Sequence, residues 1–349
     1  MRTFRSDNNS GLCPEALQAI IDANRGHAVG YGDDPFTADA VAELRRIFGD
    51  RTEAWFVATG TAANSLALAS LTEPWQQVIS HVRSHHHTKE STTPERVAHC
   101  RSVAVPTETG KLVPDDVARA RIGVEGSVYE PQAGVVTIAN PTEFGNLYTA
   151  EETAALCDAA HAAGFRFHVD GARFANAVAA LGCDPRDLTV HAGVDALSFG
   201  GTKNGLACGE AVLLFPQEDG RVFERARAAF PFHRMSLGHL VSKHRFISAP
   251  FAAALRDGAW LRHAAHANQM ATRLGEGLQR HGFEIRFETQ TNGVFVTLSD
   301  AADEALRRAG HAYYPFGDPD WNMFRMMSSF DTQAEEVDAL LSDAEKVAG

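Results

Sequence analysis

The chain has 349 residues, 44% of them hydrophobic and 22% charged, a composition typical of a globular protein with one large core and a smaller companion domain. Its 32 basic and 44 acidic residues give a formal net charge of −12, which argues against nucleic acid or an anionic membrane as the main partner. Five scattered cysteines without a C-x-x-C pair argue against a disulfide framework and a zinc site. We expect a soluble cytoplasmic protein, because the first 13 residues are polar and no apolar run approaches the roughly 20 residues of a membrane span.

Strand-like and helix-like segments alternate through the first two thirds of the chain. The predicted strands are 54–57, 134–139, 165–169, 194–199 and 210–215, and the predicted helices are 61–71, 150–163 and 172–181. Short apolar strands that alternate with helices predict an α/β fold, in which a mainly parallel sheet is covered by helices on both faces. The polar, histidine-rich segment 81–102 is predicted to be an irregular loop at the surface or at an active site.

After about residue 221 the pattern changes to longer helical stretches. Helices are predicted at 260–281, 301–309 and 332–347, and strands at 283–287, 293–298 and 323–327. This pattern indicates a smaller α+β domain, so we divide the chain into a large domain at 1–245, which includes the N-terminal segment, and a small domain at 246–349.

Lys203 stands in a glycine-rich turn after a predicted strand, in the segment S-F-G-G-T-K-N-G that begins at Ser198. Glycines let a ligand approach the backbone closely, and a desolvated lysine has a lowered pKa and can form a Schiff base. The alternative is a surface turn whose lysine is only solvated.

Asp170 ends another predicted strand, in the segment H-V-D-G-A-R, and Arg173 follows three residues later. Ligands of parallel sheets bind beyond the carboxyl ends of the strands. A carboxylate there can pair with a protonated pyridine nitrogen, and an arginine offers a planar fork to a carboxylate. The alternative is a helix-capping aspartate followed by an exposed arginine.

Gly60 and Thr61 lie between a predicted strand and a predicted helix, in the segment A-T-G-T-A-A-N. The free N–H groups of a helix N-terminus, together with a threonine hydroxyl, form a binding site for phosphate. A single glycine and threonine at a helix start are common, so this segment gains its weight from its place before the aspartate strand and the lysine turn.

Together these segments resemble the fold-type I pyridoxal-phosphate enzymes and, more narrowly, the low-specificity L-threonine aldolase and phenylserine aldolase family. The resemblance covers nearly the whole chain. The matching segments are S-D-N-N-S-G at Ser6, Y-G-D-D-P at Tyr31, G-T-A-A-N-S-L-A-L at Gly60, H-V-D-G-A-R-F-A-N-A at His168, S-F-G-G-T-K-N-G at Ser198, G-E-A-V at Gly209, F-I-S-A-P at Phe246 and D-G-A-W-L-R-H-A-A-H-A-N at Asp257.

The resemblance implies a cofactor, pyridoxal 5'-phosphate, and a set of residues that bind it. Lys203 would carry it covalently, Asp170 would pair with its ring nitrogen, and Gly60 with Thr61 would hold its phosphate. Lys243 would reach the phosphate of a neighbouring subunit. The residues expected around the cofactor also include Arg173 and His85.

The resemblance implies a second set of residues for an amino-acid substrate. Ser6, Arg173 and Arg325 would bind the substrate carboxylate, and Tyr31 would line the substrate side. The protein would be a homo-oligomer, a dimer of dimers whose active sites are shared between subunits.

His85 falls where the family has a histidine stacked on the cofactor ring, close to the β-hydroxyl proton that must leave in retro-aldol cleavage. The usual surroundings read A-H-x-x-x-D-E-C-G, whereas this chain has S-H-H-H-T-K-E-S-T from Ser84. His81, His85, His86 and His87 could be read as metal ligands. We expect no metal, since adjacent histidines in an irregular loop rarely converge on one ion, and we assign a role to His85 alone.

The expected reaction is the cleavage of β-hydroxy-α-amino acids, such as L-threonine, L-allo-threonine and phenylserine, to glycine and an aldehyde. Lys203 and His85 would be its catalytic residues. Alternatives on the same scaffold are a glycine-transferring transaldolase, a β-eliminase and an aminotransferase. The alternative outside enzymes is a non-catalytic protein that binds the same cofactor.

Overall fold

The computed structural model describes residues 2–217 and 220–348. Within them the strands are β1 Arg2–Thr3, β2 Glu53–Val57, β3 Gln76–His81, β4 Arg101–Val105, β5 Gln132–Ala139, β6 Arg166–Gly171, β7 Ala196–Gly200, β8 Glu210–Leu214, β9 Ile285–Phe287, β10 Gly293–Thr297, β11 His311–Ala312, β12 Tyr314–Pro315 and β13 Met323–Met327. The helices are α1 Pro14–Ala23, α2 Pro35–Phe48, α3 Gly60–Leu71, α4 His85–Thr88, α5 Thr93–Ala98, α6 Pro114–Ala120, α7 Ala150–Ala162, α8 Phe174–Leu181, α9 Gly220–Ser236, α10 Arg245–Leu255, α11 Ala259–Arg280, α12 Asp300–Arg308 and α13 Ala334–Glu345.

The main sheet has seven strands in the order β2-β8-β7-β6-β5-β3-β4. The five strands β4, β3, β5, β6 and β7 are parallel to one another, whereas β8 is antiparallel to both β7 and β2. The predicted mainly parallel sheet of an α/β fold is therefore confirmed. Because the parallel strands run the same way, the segments that follow β3, β5, β6 and β7 meet at one edge.

Helix α3 is the most deeply buried helix next to the sheet. Its residues from Ala62 to Leu71 are all buried, in keeping with the Ala/Leu-rich sequence. Thr59 caps it, because its Oγ1 accepts a hydrogen bond from Ala62 N at 3.3 Å. The other face of the sheet carries an aromatic cluster, in which the Phe48 ring lies 5.7 Å from that of Phe199 and 6.0 Å from that of Phe174.

A second, antiparallel sheet has the order β12-β13-β10-β9 and packs with α11, α12 and α13. The N-terminus joins this part of the chain, since β1 pairs with β11 and Met327 N donates to Phe4 O at 2.7 Å. The division after residue 245 stays a prediction. Phe251 and Trp260, which follow it in sequence, pack in the same core cluster as the main sheet.

The predicted strands and helices are present with ends shifted by a few residues. The prediction for 81–102 is wrong in one respect: this segment contains the short helices α4 and α5 and enters β4. Strands β3 and β4 escaped the sequence analysis because their polar residues, such as Gln77 and Ser102, interrupt the apolar pattern. Within residues 2–217 and 220–348, no helix is both long and apolar enough to cross a membrane.

Candidate active site

A cleft of about 520 Å³, measured to its open mouth, lies at the edge of the main sheet where β5, β6 and β7 end. The predicted site residues that line it are Gly60, His85, Asp170, Arg173 and Lys203. The cleft is also lined by Ala63, Asn64, Glu90, Ala139, Pro141, Thr142, Glu143, Ala172, Ser198 and Glu210.

Lys203 lies in a single 3-10 turn that follows β7. Glycine is required next to it, because Gly205 has a φ of 97° and a Cβ there would lie 2.8 Å from Cys13 Cβ. Burial and the nearby Arg173 guanidinium lower the pKa of Lys203, although Asp170 acts in the opposite direction. The amine is therefore easier to deprotonate than an exposed lysine, as a nucleophile requires.

Asp170 is fixed at the end of β6 by two hydrogen bonds. Asn64 Nδ2 donates to Oδ2 at 2.9 Å and Ala172 N donates to Oδ1 at 3.0 Å. Burial works against the charged carboxylate, but Lys203 and His85 outweigh it and lower the pKa of Asp170. The cleft therefore presents an anionic oxygen acceptor at the sheet edge.

The His168 ring lies behind Asp170 and is fully buried. Its nitrogens lie 2.8 Å from Thr137 Oγ1 and 2.9 Å from Ser198 Oγ. Burial lowers the pKa of His168 to about 4, so the imidazole stays neutral at physiological pH. The neutral His168 imidazole is hydrogen-bonded at both ring nitrogens. It therefore holds β6 in place without adding a positive charge near Asp170.

His85 begins helix α4, and its ring is held by Glu90. Nδ1 donates to Glu90 Oε1 at 2.7 Å, and the same oxygen accepts from Asn64 Nδ2 at 2.9 Å. The hydrogen bond with Glu90 raises the pKa of His85, against the effect of burial. Asn64 also donates to Asp170. Glu90 and Asn64 therefore link His85 to Asp170 through a chain of hydrogen bonds.

The other histidines of this segment do not converge with His85. His81 is the last residue of β3, and its Nδ1 accepts from Arg83 N at 3.1 Å. His86 is buried, and burial lowers its pKa to about 4. His87 is exposed. Among the described residues, the group with metal-ligand spacing is elsewhere and consists of Cys13, Glu15 and His263.

Arg173 is paired within the protein. Its Nε donates to Asp7 Oδ2 at 2.6 Å and its Nη2 donates to Oδ1 at 2.9 Å. Asp7 is buried and also accepts from Asn292 Nδ2 at 3.0 Å. The Arg173 guanidinium, which we expect from the sequence to bind a ligand carboxylate, therefore binds the Asp7 carboxylate instead.

Arg325 lines an adjoining cavity of about 240 Å³, which shares Thr142, Glu143 and Arg173 with the cleft. Its Nε is buried without a hydrogen-bond partner among the described residues. The guanidinium lies 5.0 Å from the centre of the Phe316 ring. Burial and the nearby Arg173 guanidinium lower the pKa of Arg325.

The N-terminus of α3, where Gly60 lines the cleft, offers backbone hydrogen-bond donors. The Thr59 hydroxyl accepts a hydrogen bond from Ala62 N, and the Thr59 carbonyl accepts one from Ala63 N. Gly60 N and Thr61 N have no acceptor in the described part of the chain. Free N–H groups at a helix start bind anions.

Five predicted residues are not among those that line the cleft in the single chain: Arg325 lines the adjoining cavity, Thr61 follows Gly60 at the start of α3, and Ser6, Tyr31 and Lys243 line neither space. Ser6 caps the 3-10 turn at Asp7, where its Oγ accepts from Asn8 N at 3.2 Å. Tyr31 and Lys243 are exposed. They lie on adjoining segments, because Tyr31 N donates to Ser242 O at 2.9 Å.

The sequence analysis missed several cleft residues. Glu90 was detectable, since it occupies the glutamate position of the family pattern five residues after His85. Asn64 stands inside the quoted G-T-A-A-N segment. Glu210 is buried and accepts from Gly201 N at 2.7 Å, and burial raises its pKa to about 7. Asp7 stands inside the quoted S-D-N-N-S-G segment, but its partner Arg173 is distant in sequence. Glu143 gave no local signal.

The mainly parallel sheet, with a lysine turn after β7 and an aspartate at the end of β6, has the fold of the fold-type I pyridoxal-phosphate enzymes. The sequence profile of the beta-eliminating lyase family matches residues 3–301. The chain belongs to this family, whose members are lyases.

Individual relatives agree with this assignment. The chain is 41% identical over 346 residues to the low specificity L-threonine aldolase of Pseudomonas sp. (strain NCIMB 10558), covering 99% of this chain and 97% of that protein. It is also 41% identical over 349 residues to the Pseudomonas aeruginosa enzyme of the same name, covering 99% and 98%. The solved structure of Leishmania major threonine aldolase has a TM-score of 0.91, at 24% identity, and covers 99% of both chains. This last likeness concerns the fold.

Proposed function

We propose that this protein cleaves β-hydroxy-α-amino acids, such as L-threonine, L-allo-threonine and phenylserine, to glycine and an aldehyde. Full-length similarity to two low specificity L-threonine aldolases supports this reaction. The observation that carries it is the cleft itself, in which Lys203, Asp170 and a histidine, His85, line one space.

The donor set of the cleft fits pyridoxal 5'-phosphate as cofactor. Lys203 is a desolvated amine for its carbonyl group, and Asp170 is a carboxylate for its protonated ring nitrogen. The free N–H groups of Gly60 and Thr61 suit its phosphate. When bound, the cofactor supplies an electron-accepting ring that stabilises negative charge at the substrate Cα.

Arg325 is the proposed anchor of the substrate carboxylate. Arg325 lines the cavity that adjoins the Lys203 cleft and its Nε has no partner among the described residues, whereas Arg173 is already paired with Asp7. We therefore give Arg173 a supporting role: it orders Asp7 and adds positive charge to the cavity wall. Ser6, which precedes Asp7, would join this group only if the 3-10 turn adjusts around the substrate.

His85 is the proposed acceptor of the β-hydroxyl proton. Because Nδ1 is held by Glu90, the ring is fixed in the cleft and Nε2 remains for the substrate. The raised pKa makes the imidazole a stronger base than a free histidine. Asn64 keeps Glu90 in place and so supports the orientation of the ring.

Tyr31 and Lys243 are proposed to act across a subunit boundary in a homo-oligomer, a dimer of dimers. Both are exposed on adjoining segments, and three large apolar side chains in the segment before Lys243 are exposed as well, namely Phe232, Met235 and Leu237. Such apolar exposure is typical of a surface that is covered by a partner. Sedimentation should give a mass above 37.7 kDa, and Lys243→Ala should weaken cofactor binding.

The test is glycine release from threonine, allo-threonine, phenylserine and β-hydroxyaspartate by purified protein supplied with the cofactor. Borohydride reduction followed by peptide mapping should place the adduct on Lys203, and Lys203→Ala should abolish both adduct and activity. Lys111→Ala is the control, because Lys111 pairs with Glu152 outside the cleft. Cofactor uptake without glycine release from any of these substrates would contradict the proposal.

A further inference from the structure

Glu143 lies in the tight turn that follows β5. Gly145 N donates to Thr142 O at 2.9 Å and Thr142 N donates to Asn146 O at 2.9 Å. The residues on either side of Glu143 are buried, and the Phe144 ring stacks on Phe287 with centroids 4.4 Å apart. The backbone of the turn is therefore anchored, and Glu143 lines both the Lys203 cleft and the Arg325 cavity.

Glu143 lies within electrostatic range of several basic groups of the cleft and the adjoining cavity. These groups are His85, Arg173, Lys203 and Arg325. Even so, Glu143 forms no hydrogen bond or ion pair with any residue in 2–217 or 220–348. The other carboxylates of the cleft, Glu90, Asp170 and Glu210, each accept at least one hydrogen bond.

A carboxylate without a donor, held in a cleft between cations, is a place for a ligand's hydrogen-bond donor. The proposed substrate has two kinds of donor. Its amine is directed to the cofactor site at Lys203, and its carboxylate is an acceptor that Arg325 attracts. The β-hydroxyl is the donor that remains for Glu143.

One acceptor cannot serve both configurations of the β-carbon equally. When the carboxylate and the amine are fixed and the remaining Cβ substituent keeps its place, the two diastereomers direct the hydroxyl to different positions. His85 follows β3 and Glu143 follows β5, the neighbouring strand, so the cleft has acceptors on two separate segments. We propose that Glu143 is a second catalytic acceptor of the β-hydroxyl proton, and that His85 and Glu143 each serve one diastereomer; this rests on the proposed aldolase function.

The step balances in atoms and electrons. The O–H bond of the β-hydroxyl breaks, and its proton moves to the Glu143 carboxylate or, for the other diastereomer, to the His85 imidazole. The oxygen's electron pair forms the second carbon–oxygen bond of the aldehyde. The Cα–Cβ bond breaks with its electron pair retained at Cα, which takes up one proton to give glycine.

The experiment compares Glu143→Gln and His85→Phe holoenzymes on L-threonine and L-allo-threonine. Glu143→Gln should lower kcat/KM for one diastereomer by roughly 10²–10⁴-fold, the usual worth of general acid–base catalysis, and should change the other little. His85→Phe should show the opposite preference. Glu284→Gln, an exposed carboxylate outside both cavities, is the matched control and should change neither.

A second measurement distinguishes transfer of the β-hydroxyl proton to Glu143 from a general effect of the Glu143 carboxylate on the charge of the site. Glycine has no β-hydroxyl, so its α-proton exchange with D₂O, followed by NMR, should survive Glu143→Gln. Equal losses for both diastereomers, unchanged kinetics, or a parallel loss of glycine exchange would overturn the assignment. Glu143→Asp serves if the glutamine variant fails to fold: it should impair the same diastereomer by a smaller factor, and equal impairment overturns the proposal. A wild-type protein that exchanges the glycine proton but cleaves neither diastereomer would instead refute the aldolase function.

Discussion

Asp7 and Arg173 form a two-point ion pair across 166 positions of sequence, with nitrogen–oxygen distances of 2.6 and 2.9 Å. Asp7 is only 1% exposed, and Asn292 donates a third hydrogen bond to it. The pair links the N-terminal segment to the helix that begins after β6. It therefore belongs to the structural frame of the site as much as to its binding surface.

Breaking this pair should destabilise the protein. Asp7→Ala leaves the largely buried Arg173 guanidinium without its ion-pair partner, so we expect the free energy of unfolding to fall by about 3–5 kcal/mol. Urea unfolding of the wild type and the variant measures the change. Asp22→Ala is the control, because Asp22 pairs with Arg25 at the surface, where such a pair contributes about 0–1 kcal/mol. A loss below about 1 kcal/mol for Asp7→Ala would show that the pair is dispensable.

Arg325→Ala should impair amino-acid recognition while the cofactor remains bound. Removal of a charge-assisted partner from a desolvated site costs roughly 2–5 kcal/mol, so kcat/KM should fall by about 30-fold or more. Cofactor absorbance checks that the site is loaded. Arg308→Ala is the control, because Arg308 forms an exposed pair with Glu304. Unchanged kinetics would move the carboxylate site away from Arg325.

The order of strands and helices around the cleft was predictable because it depends on local patterns. The apolar runs before Asp170 and Lys203 and the glycines beside the lysine are visible in the sequence, and the structure brings both residues into one cleft. The polar strands β3 and β4 were not predictable, since Gln77 and Ser102 break the apolar pattern and β4 is an edge strand whose residues are only partly buried.

The pairing of the site residues could not be predicted. Nothing local marks Asp7 as the partner of Arg173 or Asn64 as a donor to Asp170, because each pair is created by the packing of distant segments. The family pattern did contain the position of Glu90, so its contact with His85 could have been expected. The exposed positions of Tyr31 and Lys243 depend on subunit assembly, which a single chain does not reveal.

Glu90→Gln should move the pH dependence of cleavage. The hydrogen bond with Glu90 raises the pKa of His85, and His85 accepts a proton only when it is neutral. The rate should therefore rise with pH through the pKa of His85, and removal of the carboxylate should shift this acid limb to lower pH. The profile of kcat against pH measures it. His87→Gln, an exposed neighbour, should leave the limb in place, and an unshifted limb in Glu90→Gln would mean that another group controls it.

Glu210→Gln should flatten the pH dependence of stability of the cofactor-free protein. Burial raises the pKa of Glu210 from its ordinary value of 4.5 to about 7, although hydrogen bonds from Gly201 and Thr202 and the charge of Lys203 act the other way. A carboxyl with a raised folded-state pKa adds stability that is fully present below pH 4.5 and is lost as the pH rises through about 7. The loss is on the order of 3 kcal/mol.

The glutamine variant keeps an oxygen that can accept from Gly201 N but cannot ionise, so this part of the pH dependence should disappear. Urea unfolding between pH 5 and about 8 compares the two proteins across the window set by the two pKa values. Glu284→Gln, which removes an exposed carboxylate, should keep the wild-type slope. If wild type and Glu210→Gln lose stability in parallel as the pH rises, Glu210 is ionised in the folded protein at neutral pH, and its charge must then be balanced by Lys203.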